Sequence, residues 1–308
     1  RCGKVETFSG ILAADQADEG DEGSGVDVTT FQTGGCVRKV HGTARYQDRV
    51  LDERGFLAKT WKPIRHATVE AVRASDGAVL ATGRTGLDGT YRLSFDNDGT
   101  AGFYVRVKSA SPDDDKVRRV IVRNQPTSGQ VYAAQSVGVV DEGVMPDAQV
   151  DLYVDEASGG GAFNIFDVVV EGNDRLRLEI GRPVGELAAC WQAGATATFY
   201  CSDVLYGQGK CKTAGLIQIG GMDDARDEYD DQVLLKEFFR FVLDRLSRDD
   251  NPGGAHDGTR DVPKRAWAEG ATTFLSSRLR GSRWFVDSER PGVYRVLDLQ
   301  TLASPFAN

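Results

Sequence analysis

Lys236-Glu237-Phe238-Phe239-Arg240 places two cations four residues apart, with a carboxylate and two aromatic rings between them. On a helix this spacing puts Lys236 and Arg240 on one face. A carboxylate such as Glu237 can act as a general base toward water, but the water must first be activated. Catalytic zinc would do that with three lone-pair donors and one open position. An ammonium or guanidinium has no lone pair to give, and arginine stays protonated. Taken alone, the stretch reads as a solvated charged face beside an apolar one. Two later segments give it a second reading: Asn251-Pro252-Gly253-Gly254-Ala255-His256-Asp257, then Ala266-Trp267-Ala268-Glu269-Gly270-Ala271.

In this order the residues resemble a family of secreted bacterial zinc metallopeptidases of the gluzincin type. There a helix bearing His-Glu-x-x-His is followed by a Gly-Gly-x-His loop and a second helix carrying Glu-Gly. Tyr229-Asp230-Asp231 and Ser247-Arg248-Asp249-Asp250 flank the motif in the same order, and Gly161-Ala162-Phe163-Asn164 and Gly215-Leu216-Ile217-Gln218 fit upstream, so the resemblance covers residues 148–285. It implies zinc ligands at positions 236, 240 and 269 and a general base at 237. Glu237 and Glu269 match, whereas Lys236 and Arg240 stand where both histidines belong. The implied site is therefore vestigial: zinc is expected to be absent and no catalytic residue remains. Without an ion, Glu237 and Glu269 would repel and push a pKa upward. A contact within about 4 Å between Glu269 and Lys236 or Arg240 is expected, bidentate if Arg240 makes it.

The element that must position these groups is a helix over 233–246. Leu234, Phe238, Val242 and Leu246 recur at i, i+4, and Leu235, Phe241 and Leu243 widen the stripe. So apolar a helix is buried on most of its circumference, where an unpaired charge is costly. Strands are expected at 194–201 and 215–220, and Gly159-Gly160-Gly161 opens a further helix. Upstream, short alternating runs at 40–46, 68–73, 79–82, 91–95 and 103–108 are separated by Ser75-Asp76-Gly77, Asp88-Gly89 and Asn97-Asp98-Gly99. That pattern predicts an antiparallel β-sandwich.

Gly42, Pro63, Ala67, Val69, Thr85, Gly89 and Tyr91 resemble the motif of carboxypeptidase regulatory-like, transthyretin-like domains, which implies a spacer or adhesion module without chemistry. The expected fold class is α+β: an acidic, Gly-rich segment over 1–36, the β-sandwich over 37–112, a bridging β segment over 113–147, and a peptidase-like α+β domain over 148–308. Residues 13–27 hold too few large apolar groups to order themselves.

A formal net charge of −9 with no basic stripe argues against nucleic acid. No apolar run approaches the length of a membrane span, so attachment to a membrane would need a lipid or a removed signal, and the start at Arg1 suggests a trimmed N-terminus. The five cysteines show no Cys-x-x-Cys spacing. Cys201 with Cys211, and Cys2 with Cys36, are the disulfide candidates, with Cys190–Cys201 competing. The odd thiol is either buried or available to another chain, and disulfides point outside the cytoplasm.

Asp223, Asp224, Asp227, Glu228, Asp230 and Asp231 crowd the approach to the central helix. Calcium takes such oxygen ligands, though carboxylates also gather at helix N-termini on dipole grounds. Asp96-Asn97-Asp98-Gly99 lacks the later glutamate of a calcium loop and reads as a plain turn. No Gly-x-Ser-x-Gly elbow is present. The expected function is a non-catalytic, secreted, cell-surface or periplasmic bacterial protein that binds a protein partner or assembles. The alternatives are a divergent metal-dependent hydrolase using Glu237, Glu269 and His256, and a subunit of a surface appendage or filament.

Overall fold

A computed structural model describes residues 36–97, 102–138, 147–222, 225–254 and 262–302. They form a mixed α+β structure with several antiparallel sheets. The first half comprises β1 (Cys36–Asp52), β2 (Gly55–Pro63), β3 (Thr68–Arg73), β4 (Val79–Arg84), β5 (Thr90–Asn97) and β6 (Phe103–Lys108). Next come β7 (Val120–Arg123), β8 (Ala133–Gln135), β9 (Asp147–Gln149) and β10 (Leu152–Val154). The second half holds α1 (Gly160–Ile180), β11 (Leu187–Trp191), β12 (Phe199–Cys201), α2 (Asp203–Gly207), β13 (Leu216–Ile219), α3 (Asp231–Leu246), α4 (Pro263–Arg280), β14 (Trp284–Arg290) and β15 (Val293–Asp298).

Strand β1 organises the first half. Val40, Gly42, Ala44 and Tyr46 are buried while the residues between them are partly exposed, the period-two signature of a strand with one covered face. Its first part pairs antiparallel with β5 and its second part with β2. The same strand also pairs in parallel with β9 and β10. Gly42 lies where the chain between those two strands crosses: a Cβ there would sit 1.9 Å from the Val150 carbonyl oxygen. Other residues of the motif make cross-strand contacts as well. Thr85 Oγ1 accepts the Ala67 N–H at 2.9 Å, the Gly89 carbonyl accepts the Ala44 N–H at 2.9 Å, and the buried Tyr91 hydroxyl donates to the Val150 carbonyl.

A domain boundary is expected at 148. Residues 147–149 and 152–154 pair with β1, so the change of architecture falls between Val154 and Gly160. Within the 113–147 stretch, β7 joins β11 in a sheet ordered β12-β13-β11-β7, while β8 pairs with β6. Pairing partners far away in sequence decide this, and no local pattern carries them.

The two halves share one buried apolar cluster running from Val40 and Tyr91 to Phe166 and Phe241. Helix α1 is buried over its first eleven residues and packs against β1, β7 and α3. Polar contacts fix it as well: the buried Tyr46 hydroxyl bonds Asn164 and Asp167, each at 3.1 Å, and Arg65 clasps Asp167 at 2.6 and 2.7 Å. Among the described residues no helix is long and apolar enough to cross a membrane.

Candidate functional site

Helix α3 runs between α1, the β12 edge of the mixed sheet, and α4. Val233, Leu234, Leu235, Phe238, Phe239, Phe241 and Val242 are buried, and so are Glu237 and Arg240. Those two charged groups are held by partners rather than by water. Glu237 Oε2 accepts the Tyr200 N–H of β12 at 2.7 Å and lies 3.6 Å from Arg240 Nε.

Helix α4 brings in Glu269 from the other side. Lys236 Nζ lies 2.6 Å from its Oε2, and Arg240 Nη2 contacts its Oε1. The Asn251 side-chain amide donates to the same Oε1 at 3.3 Å, while its Oδ1 accepts the Gly253 N–H at 2.9 Å. The fork expected of Arg240 on Glu269 is divided instead: Nη2 meets Glu269 and Nε faces Glu237. Burial holds the Lys236 ammonium below the usual lysine range; the Glu237 carboxylate opposes this and the neighbouring Arg240 charge adds to it. Two cations therefore neutralise two carboxylates in a nearly dry site.

The cluster faces a cleft of about 280 Å³, lined also by Thr198, Phe199, Lys210 and Gly254. The groups at 236, 240 and 269 do not fit zinc, because two of the three offer only N–H groups, which have no lone pair to give; both contact Glu269. Glu237 is engaged as an acceptor by the Tyr200 N–H. The third group named for a divergent hydrolase, His256, lies outside the described residues.

Cys201 and Cys211 form a disulfide with Cα atoms 6.0 Å apart. It closes the connection between the antiparallel neighbours β12 and β13, which carries the short helix α2. The competing Cys190–Cys201 pair is thereby excluded, and Cys190 is a free, buried thiol, pushed up by that burial. Cys2 lies outside the described residues, and with it the Cys2–Cys36 pairing.

Of the acidic residues before α3, Asp223 and Asp224 lie outside the described residues. Asp230 precedes α3 without capping it; its Oδ2 accepts the Ser288 N–H of β14 at 2.7 Å. Asp287 and Tyr200 join these arrangements although nothing in the sequence marks them: the first sits in an ordinary strand, and the second acts through its backbone N–H. Asn251, which opens the segment with Gly253-Gly254, contributes its side-chain amide.

No family model matches the chain, and no curated protein matches it. Among solved structures, a 9R-lipoxygenase from Cyanothece PCC8801 is similar over 47% of this chain and 25% of that chain, at 13% identity and a TM-score of 0.25. The chain thus spans about a quarter of that protein's length, and a likeness of this size defines no common fold.

Proposed function

We propose that the chain is a catalytically inactive, metallopeptidase-like protein, made of a β-sandwich of the regulatory-like type and a gluzincin-like α+β part, that acts by binding a protein partner or as an assembly component outside the cytoplasm. The observation that carries this reading is the clasp of Glu269 by both Lys236 and Arg240. Cations at these positions supply the charge that a metal would otherwise bring, and without a metal no Lewis acid or activated water is available to Glu237. The helix-on-helix placement of Lys236, Glu237 and Arg240 opposite Glu269 supports the family reading. The cleft beside them supports a retained binding role, and the Cys201–Cys211 disulfide supports an oxidising compartment.

The test is to restore the ligands. The double variant K236H/R240H should take up one zinc ion per chain, measured by metal analysis after dialysis, while the parent chain takes up none and cleaves no protein substrate in a chelator-sensitive way. Stoichiometric zinc in the parent chain, or failure of a folded double variant to bind zinc, overturns the reading.

A further inference from the structure

A second acidic cluster stands apart from the Lys236–Glu269 clasp. Carboxylate oxygens of Asp227, Asp230 and Asp287 all lie within 4.8 Å of one another. They come from three places: the turn before α3, the residue preceding α3, and β14. Several other buried carboxylates are met by cations, although among the described residues Glu228 and Asp249 are not. Lys62 lies 2.8 Å from Asp48, Arg65 lies 2.6 Å from Asp167, and Arg106 lies 2.6 Å from Glu70. Among the described residues no lysine or arginine nitrogen makes an ion pair with Asp227, Asp230 or Asp287; the Arg295 and Lys236 charges act on Asp287 from further away.

Asp230 supplies the decisive detail. Its side chain is fully buried, and although Oδ2 accepts the Ser288 N–H, Oδ1 has no hydrogen-bond partner. An orphaned carboxylate oxygen in a dry interior is costly. Here it belongs to a trio of carboxylates, where repulsion adds to desolvation. The buried Ser288 hydroxyl lies near this carboxylate without meeting the geometry of a hydrogen bond. Asp227 is held in place, since the Thr198 hydroxyl donates to its Oδ2. Such supporting donors orient the ligands of a metal site.

We infer that Asp227, Asp230 and Asp287 form a calcium site that ties the start of α3 to β14. A separation of up to 4.8 Å between donors is the span of oxygens around one ion at about 2.4 Å each. Three hard carboxylate donors suit Ca²⁺ and not zinc, and calcium tolerates the irregular shell that water would complete. The site does not depend on the pseudoenzyme reading, because none of its ligands belongs to the clasp.

The full chain, stripped with a chelator, is titrated with Ca²⁺ by calorimetry and followed by thermal denaturation. One ion per chain should bind, with an affinity no weaker than about millimolar, as in extracellular calcium modules, and the melting temperature should rise with Ca²⁺ concentration. Asp287→Asn, at the half-buried rim, should weaken binding at least tenfold while the folded chain persists; Asp230→Asn should abolish it. Asp113→Asn, on an exposed side chain, should bind as the parent does. No heat and no thermal shift in the parent up to about 5 mM Ca²⁺ overturns the assignment. So does equal binding by the parent and a folded Asp287→Asn variant.

Discussion

Replacing Arg240 by alanine removes the group that links Glu237 to Glu269. Glu269 keeps Lys236 at 2.6 Å and the Asn251 amide at 3.3 Å, so it remains neutralised. Glu237 does not: it is 4% exposed, the Tyr200 N–H still donates to it, and the guanidinium beside it is gone. The loss is that of a buried pair broken from one side, about 3–5 kcal/mol, and the surviving contacts of Glu269 place it toward the lower end. At about 2–4 °C per kcal/mol for a chain of this size class, the melting temperature should fall by about 6–12 °C. Arg54→Ala is the control, because that side chain is 74% exposed beside Asp52 and solvent screens such a surface pair. Adding Glu237→Gln to Arg240→Ala should return part of the loss, since the stranded charge is its source. Thermal and urea denaturation of these variants and the parent decide the matter. Equal, small shifts for Arg240→Ala and Arg54→Ala, or no recovery in the double variant, would refute the reasoning.

Three further outcomes are expected. His66 is held below the ordinary histidine range by burial and by the Arg118 charge, against the pull of Asp174; its contribution to stability is complete above the unfolded value of about 6.5 and is lost as pH falls through the lower folded value. His66→Asn, which tolerates the positive φ of 56° at this position, should flatten that part of the stability–pH curve, and an unchanged curve would remove His66 as its cause. Reducing or deleting the Cys201–Cys211 bridge, which spans 10 residues, should cost about 2–3 kcal/mol in chemical denaturation. Gly42→Ala forces a Cβ against the Val150 carbonyl at 1.9 Å and should destabilise by about 3 kcal/mol; a neutral result would mean the strands separate there at little cost.

Local chemistry makes several elements legible in the order of the residues. The runs at 68–73 and 103–108 coincide with β3 and β6, and the apolar stripe over 233–246 lies within α3. In β6 and α3 a covered face imposes its period on the residues. Strand β3 is covered on both faces and is marked instead by Thr68, Val69 and Val72 and by the turn residues that follow. The lack of zinc donors at 236 and 240 is equally legible, because it is a property of the side chains themselves. Strand β2 is not: its middle is exposed throughout, so no alternation marks it. The expected strand over 194–201 shortens to Phe199–Cys201. What tertiary structure alone decides is which distant groups meet. The parallel pairing of β1 with β9 and β10, the sharing of Arg240 between Glu237 and Glu269, and the meeting of Asp287 with Asp227 and Asp230 all bring together segments that lie far apart along the chain. Periodicity and motif spacing constrain a segment's own conformation, whereas these contacts depend on how whole elements pack around one core.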